Sequence, residues 1–286
     1  MTGALSEVSA QRSGVPHLLA RYAASIRGAS GPSLDDPRTL DDLLMERVVV
    51  GGKSVEMFYA PFDHVNPHAR LVIVGMTPGR FQAAAALKVA RLELDAGRSI
   101  AGAAEAAKVS ASFSGEPMRG NLVRMLDLIG IPRLLDIPTA ALLWAGRSEL
   151  VHFTSALRYP VFVDGGNWSG QPDMVRTPRL RALLEMYTGV ELDALRGAVV
   201  VPLGPKVSAA MRHLAGIGML DLGYVLDGLP HPSGANAERI ACFLGTKPAH
   251  LCSAKTNAAA ISKTRDDLTR QVDRLSNDDG QYRLDR

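Results

Sequence analysis

Two turns hold the residues best suited to chemistry. The first, Gly75-Met76-Thr77-Pro78-Gly79, follows the apolar run Leu71-Val72-Ile73-Val74 and leads into Phe81-Gln82-Ala83-Ala84-Ala85-Ala86-Leu87. Strand, tight turn, helix start is a common way to build an α/β site, because backbone N–H groups left open at a helix start attract an anionic or oxyanion-like group. The second turn is Leu229-Pro230-His231-Pro232-Ser233, which opens another helix far downstream. Neither pattern is specific alone. One also describes an ordinary strand–helix turn, the other an ordinary loop histidine.

An alternation of strands and helices must position these turns. Strands are predicted at 71–74, 150–154 and 198–204, with a weaker fourth at 224–229. Between and after them come helices over 81–109 (weak at Gly97 and Gly102), 122–129, 178–187, from 205, and 237–244. This pattern predicts an α/β fold: a three-layer α/β/α sandwich around a central four-stranded parallel sheet. Loops at the C-terminal ends of such strands share one rim, where ligands bind. The rim would collect the 75–81 turn, the loop after Phe153 and the His231 loop. Residues 1–57 read as an N-terminal extension of short helices and a hairpin around Gly51-Gly52, residues 58–246 as the α/β domain. Residues 247–286 read as a polar helix over 254–276 and a disordered tail.

Composition narrows the class. With 286 residues, 47% hydrophobic and 21% charged, the chain buries a sizeable core. A formal charge of +3 neither demands nor forbids a basic face. Cys242 and Cys252 alone make neither a disulfide framework nor a four-cysteine metal site. No apolar run reaches membrane-spanning length and no signal-peptide core opens the chain, so a cytoplasmic location is expected; the chain is also expected to be a monomer. The Gly-x-Gly-x-x-Gly spacing of dinucleotide binding is missing, and Ser233 is not in a Gly-x-Ser-x-Gly elbow.

The order of the two turns resembles the uracil-DNA glycosylase superfamily. The first turn is most similar to the Gly-Met-Asn-Pro-Gly of the single-strand-selective branch. Phe113-Ser114, Gly115-x-Pro117-x-Arg119, Met125-Leu126-Asp127-x-x-Gly130-Ile131-Pro132 and Val199-Val200-Val201-Pro202-Leu203-Gly204 also resemble that family, over roughly residues 58–246. The resemblance implies a metal-free, cofactor-free DNA glycosylase whose partner is DNA carrying a uracil or modified base. Such an enzyme extrudes a nucleotide at a cost of a few kcal/mol and recovers part of it by stacking the base on an aromatic ring. Phe113 is the candidate ring, with Phe81 its rival. His231 would donate to the carbonyl oxygen where the departing base gathers charge. Gly75 and Met76 would line the base, and the backbone of Pro78 and Gly79 would add donors or contacts. Ser233, Gly234 and Asn236 would meet a phosphate and the space the base leaves, and Arg80, Lys206 and Arg239 would hold phosphates. The resemblance thus implies a pocket of nucleobase size between Phe113, Ser155 and His231.

Two positions depart from the family. Thr77 stands where active branches carry Asp or Asn, and a hydroxyl has no base strength at neutral pH; it can only orient water. Ser155 stands where an Asn reads the base edge, which leaves room for a bulkier base, such as a modified phage base reached by Asn167 or Trp168. Two other readings stay open. One is a non-catalytic nucleic-acid-binding member of the fold. The other is a hydrolase of free nucleosides or nucleotides, whose binding would depend little on salt.

Overall fold

The computed structural model describes residues 17–113 and 115–284; Ser114 of the Phe-Ser pair lies outside the described residues. Seven strands form among them: β1 (Leu44–Val50), β2 (Lys53–Phe58), β3 (Leu71–Gly75), β4 (Val151–Ser155), β5 (Val161–Val163), β6 (Gly166–Asn167) and β7 (Val199–Pro202). β3 is the middle of a parallel sheet ordered β4-β3-β7. Every residue of β3 and β7 is buried, which is why each reads as an unbroken apolar run.

Alternation along β3 divides its side chains between two cores. Val72 and Val74 pack with Ala83, Ala86 and Leu87 of the Arg80–Asp95 helix and with Val207 and Met211 of the Pro205–Gly216 helix. Leu71 and Ile73 pack with Leu122 and Met125 of the Met118–Leu128 helix, and with Phe243 and Val272 from helices Ala237–Phe243 and Ala258–Leu284. Helices therefore cover both faces of the sheet, and the fold is mixed α/β.

The expected fourth parallel strand is reduced to one rung. Leu222–Tyr224 makes a 3-10 turn, Val225 bridges Val200, and Leu226 N–H donates to Val200 O at 2.8 Å. The chain then turns away. Asp227 pairs with Arg212 at 2.6 Å, Gly228 adopts a φ of 120°, and Pro230 has no N–H to continue a ladder.

The hairpin at Gly51-Gly52 forms, with both glycines at positive φ and Val50 opposite Lys53. It belongs to a second, antiparallel sheet ordered β1-β2-β5-β6. The N-terminal helix His17–Gly28 packs beside it, Tyr22 stacking on Tyr59 at 4.2 Å. The long helix expected after β3 is two helices, Arg80–Asp95 and Ile100–Ala111. Gly97, at a φ of 78°, ends the first, and Ser99 accepts from Gly102 N–H at 3.1 Å to start the second. The C-terminal helix continues to Leu284, past the end expected near 276. Among the described residues no helix is long and apolar enough to cross a membrane.

Candidate functional site

The C-terminal ends of the parallel strands place three segments on one rim. Gly75 lies opposite Ser155, and Val74 opposite Pro202. Beyond the strand ends, Ala156 N–H donates to Gly75 O at 2.8 Å and Leu157 N–H to Met76 O at 3.0 Å, while Leu203 N–H donates to Val74 O at 2.9 Å. The Phe113 ring rests on Gly75. A Cβ at position 75 would stand 2.9 Å from Phe113 Cζ and 3.4 Å from Ser155 Oγ, so glycine permits the approach. Phe113 itself adopts a φ of 48°, and its ring centre is 5.8 Å from that of Phe153.

Gly75, Phe113 and Ser155 thus meet as the sequence suggested. The slot between them, bordered by Pro78, Gln82 and Phe153, is nearly filled: about 10 Å³, room for one water. The expected opening of nucleobase size is not there in this state. His231 is not one of the residues lining it.

His231 occupies the next corner of the rim, against Gly204. A Cβ on that glycine would lie 3.8 Å from His231 Cβ and Cδ2. Ser233 N–H donates to His231 Nδ1 at 3.3 Å, which leaves the proton of a neutral ring on Nε2. Burial lowers the imidazole pKa below the ordinary value, favouring that neutral, donating form at pH 7. Asn121 Nδ2 donates to Pro232 O at 2.8 Å, and Gly234 lies against Pro117, with 3.5 Å from its would-be Cβ to Pro117 Cγ. The His231 turn is therefore fastened to the helix that starts just after Phe113.

Other predicted residues are engaged structurally. Thr77 Oγ1 donates to Tyr159 O at 2.9 Å and accepts from Val161 N–H at 3.2 Å, tying the first turn to β5. Its donor is not available to water. Thr77→Val should strand both backbone partners and cost about 1–3 kcal/mol, read as a lower urea midpoint. Two amides at this helix start are also taken: Gly79 N–H donates to Gln82 Oε1 and Arg80 N–H to Asn167 Oδ1, both at 3.0 Å. Neither Asn167 nor Trp168 lines the slot: Asn167 accepts from Arg80 N–H beside Gly79, and Trp168 is buried and donates to Pro172 O at 3.0 Å. Phe81 is 77% exposed, outside the slot, with the Arg80 guanidinium 5.0 Å from its ring centre. Lys206 lies against Gly170, 3.8 Å from Asp173. Asn236 Nδ2 donates to Ser233 Oγ at 3.3 Å, and Arg239 is exposed on the following helix.

Beneath the slot is a charged cluster that the sequence reading missed. Glu191 is fully buried. Its Oε1 accepts from Lys108 Nζ at 2.8 Å and from His152 Nε2, and its Oε2 accepts from Thr154 Oγ1 at 2.8 Å and Arg158 Nε at 3.1 Å. Asn66 N–H donates to His152 Nδ1 at 3.3 Å, so the ring proton is on Nε2. Burial works against the Glu191 charge, but Arg158, Lys108 and His152 hold its carboxyl well below the usual range. Burial brings Lys108 down to about 8, with Glu191 partly opposing. Next to it Asp63 accepts from Tyr59 at 2.5 Å and from Tyr159, and burial raises its carboxyl.

Burial lowers His152 to about 4, with Lys108 adding to the effect. The fold therefore requires the neutral ring, whereas the unfolded chain takes up a proton near 6.5. The stability this provides is complete above pH 6.5 and is lost as pH falls toward 4. Urea midpoints across that window should drop, and His152→Gln should flatten the drop.

No protein-family model matches the chain, and no solved structure does. The chain is similar to the uncharacterized protein YoxB of Bacillus subtilis (strain 168), 36% identical over 194 residues, which are 67% of this chain and 75% of that protein. With that identity across three quarters of the relative, the chain belongs to the same family as YoxB.

Proposed function

We propose that the chain is a monofunctional DNA glycosylase that flips uracil or a modified base out of DNA and hydrolyses its N-glycosidic bond. Its fold is then the uracil-DNA glycosylase-like sandwich, with the rung at Val225 as the vestige of a fourth parallel strand. One observation carries the reading: a neutral imidazole, fixed as a donor by Ser233 N–H, stands on the rim where Phe113 covers Gly75 and Ser155.

The chemistry follows from those residues. Breaking the N-glycosidic bond loads negative charge on the base. His231 Nε2–H stabilises that charge at a carbonyl oxygen without itself having to lose a full proton. The base needs a wider slot than the 10 Å³ present, so Phe113 must lift from Gly75 and present its face to the incoming ring. Around the rim, Arg80, Ser233, Asn236, Lys206 and Arg239 meet the phosphates, and the exposed Phe81 offers an aromatic surface outside the slot. The filled slot and the committed Thr77 hydroxyl favour a second reading, a nucleic-acid-binding protein without turnover.

One screen separates these readings. Single- and double-stranded oligonucleotides bearing uracil, other lesions or hypermodified cytosines are incubated with the protein, and abasic sites are cleaved with alkali. Abasic product on at least one substrate is expected. Salt-dependent binding with no product on any substrate would favour the second reading, and release of base from free nucleosides would favour a nucleoside hydrolase.

A further inference from the structure

Phe113 closes the slot at a cost to its own backbone. Its φ of 48° lies in the left-handed region, which a bulky side chain rarely adopts. Such a conformation persists only where surrounding contacts over-determine it. Gly75 supplies one of them, the bare surface on which the ring rests. Others lie just upstream, where the Ile100–Ala111 helix ends. Ser112 Oγ donates back to Lys108 O at 2.6 Å, and Trp144 Nε1 donates to Ser112 O at 3.1 Å. Ser112 is buried, so loss of the indole N–H leaves its carbonyl short of a donor. The Trp144 ring also supports the slot wall: its centre is 5.0 Å from that of Phe153, which lies 5.8 Å from that of Phe113.

The indole is itself fixed. Trp144 ends the 3-10 turn Ala140–Trp144. At the start of that turn, Thr139 Oγ1 and Ala140 N–H both donate to the Asp127 carboxylate at 2.7 Å. Asp127 belongs to the Met118–Leu128 helix, whose Asn121 holds the His231 turn through Pro232 O. One helix thus braces both the ring that covers the slot and the imidazole beside it.

We propose that Trp144 is the positioning residue of this slot: its N–H on Ser112 O holds Phe113 over Gly75, and the slot opens when that hydrogen bond is released. That a nucleobase is what enters rests on the glycosylase reading; the latch is read from the contacts alone.

The test needs no DNA. In the full chain, Ser155→Cys places a thiol in the slot wall and Cys252→Ser removes the half-buried thiol. Cys242, 3% exposed in the Ala237–Phe243 helix, stays as a reporter of general loosening. Iodoacetamide labelling is followed at both thiols by peptide mass spectrometry. Trp144→Phe keeps an aromatic ring and loses the N–H. It should speed labelling of the introduced thiol about tenfold, the effect of leaving one buried acceptor without its donor. Labelling of Cys242 should not change. Phe113→Ala opens the slot directly, so adding Trp144→Phe to it should give no further increase. Should Trp144→Phe not fold, Asp127→Asn, which loosens the brace and keeps the indole, should speed the introduced thiol at least about threefold. Labelling unchanged by Trp144→Phe, or by Asp127→Asn where only that variant folds, overturns the proposal. So does a parallel rise at Cys242, which makes Trp144 a support of the whole fold, or an undiminished increase in the Phe113→Ala background. Abasic product from oligonucleotides with labelling unmoved keeps the glycosylase reading and removes this one. Faster labelling with no abasic product on any substrate does the reverse.

Discussion

His231→Ala should slow base release by about 10²–10³-fold, the loss measured when one donor to a developing oxyanion is removed. Single-turnover assays at saturating protein read the chemical step directly. His231→Gln, which retains an N–H at similar reach, should keep part of the rate. The fold should change little, since the imidazole accepts one local hydrogen bond, from Ser233 N–H, and the turn is held by Asn121 on Pro232 O. Circular dichroism of the variant should match the parent. The wild-type rate should be constant above the ordinary histidine pKa and should fall only below it, because burial already lowers the folded-state value and the neutral ring is the working form. A rate within twofold of wild type for His231→Ala would remove the imidazole from the chemistry.

Glu191→Ala should be the most damaging change to stability. It leaves Lys108, Arg158 and the His152 N–H buried without their shared acceptor, a situation that costs about 3–5 kcal/mol. For a chain of this size that is about 5–8 °C in melting temperature. Glu191→Gln should lie between, keeping hydrogen bonds but not charge. Replacing Lys108, Arg158 and Glu191 together by apolar residues of similar volume should recover much of the loss, because the unpaired charge goes with its partners. If the triple variant is as unstable as Glu191→Ala, packing rather than charge explains the site.

The sequence made the rim visible and its contents only in part. β3 and β7 are fully buried β-branched runs, closed by Gly-Pro or Pro-Leu-Gly turns, and those signals are local. The fourth strand was over-read because Tyr224-Val225-Leu226 has strand character while the interruption comes from its neighbours, the Arg212–Asp227 pair and Gly228. The charged cluster was missed because its partners are remote, His152 and Glu191 being 39 residues apart. One trace was present: Lys108 falls on the stripe of Ala104, Ala107 and Ala111, where a charge on an otherwise apolar helix face needs a buried acceptor. The closed slot was not legible at all. It depends on how a ring on one segment settles over a glycine on another, a tertiary contact with no local signature.

The single rung at Val225 has a consequence for how this family can diversify. A loop anchored by a full ladder keeps the height its neighbours impose. Here the loop hangs like a cantilever, its pitch set by an asparagine brace and a glycine seat. Exchange of either one would tilt the imidazole relative to the slot while every strand stayed where it is, so, on the proposed glycosylase reading, related chains could retune reach toward different bases without rebuilding the sheet.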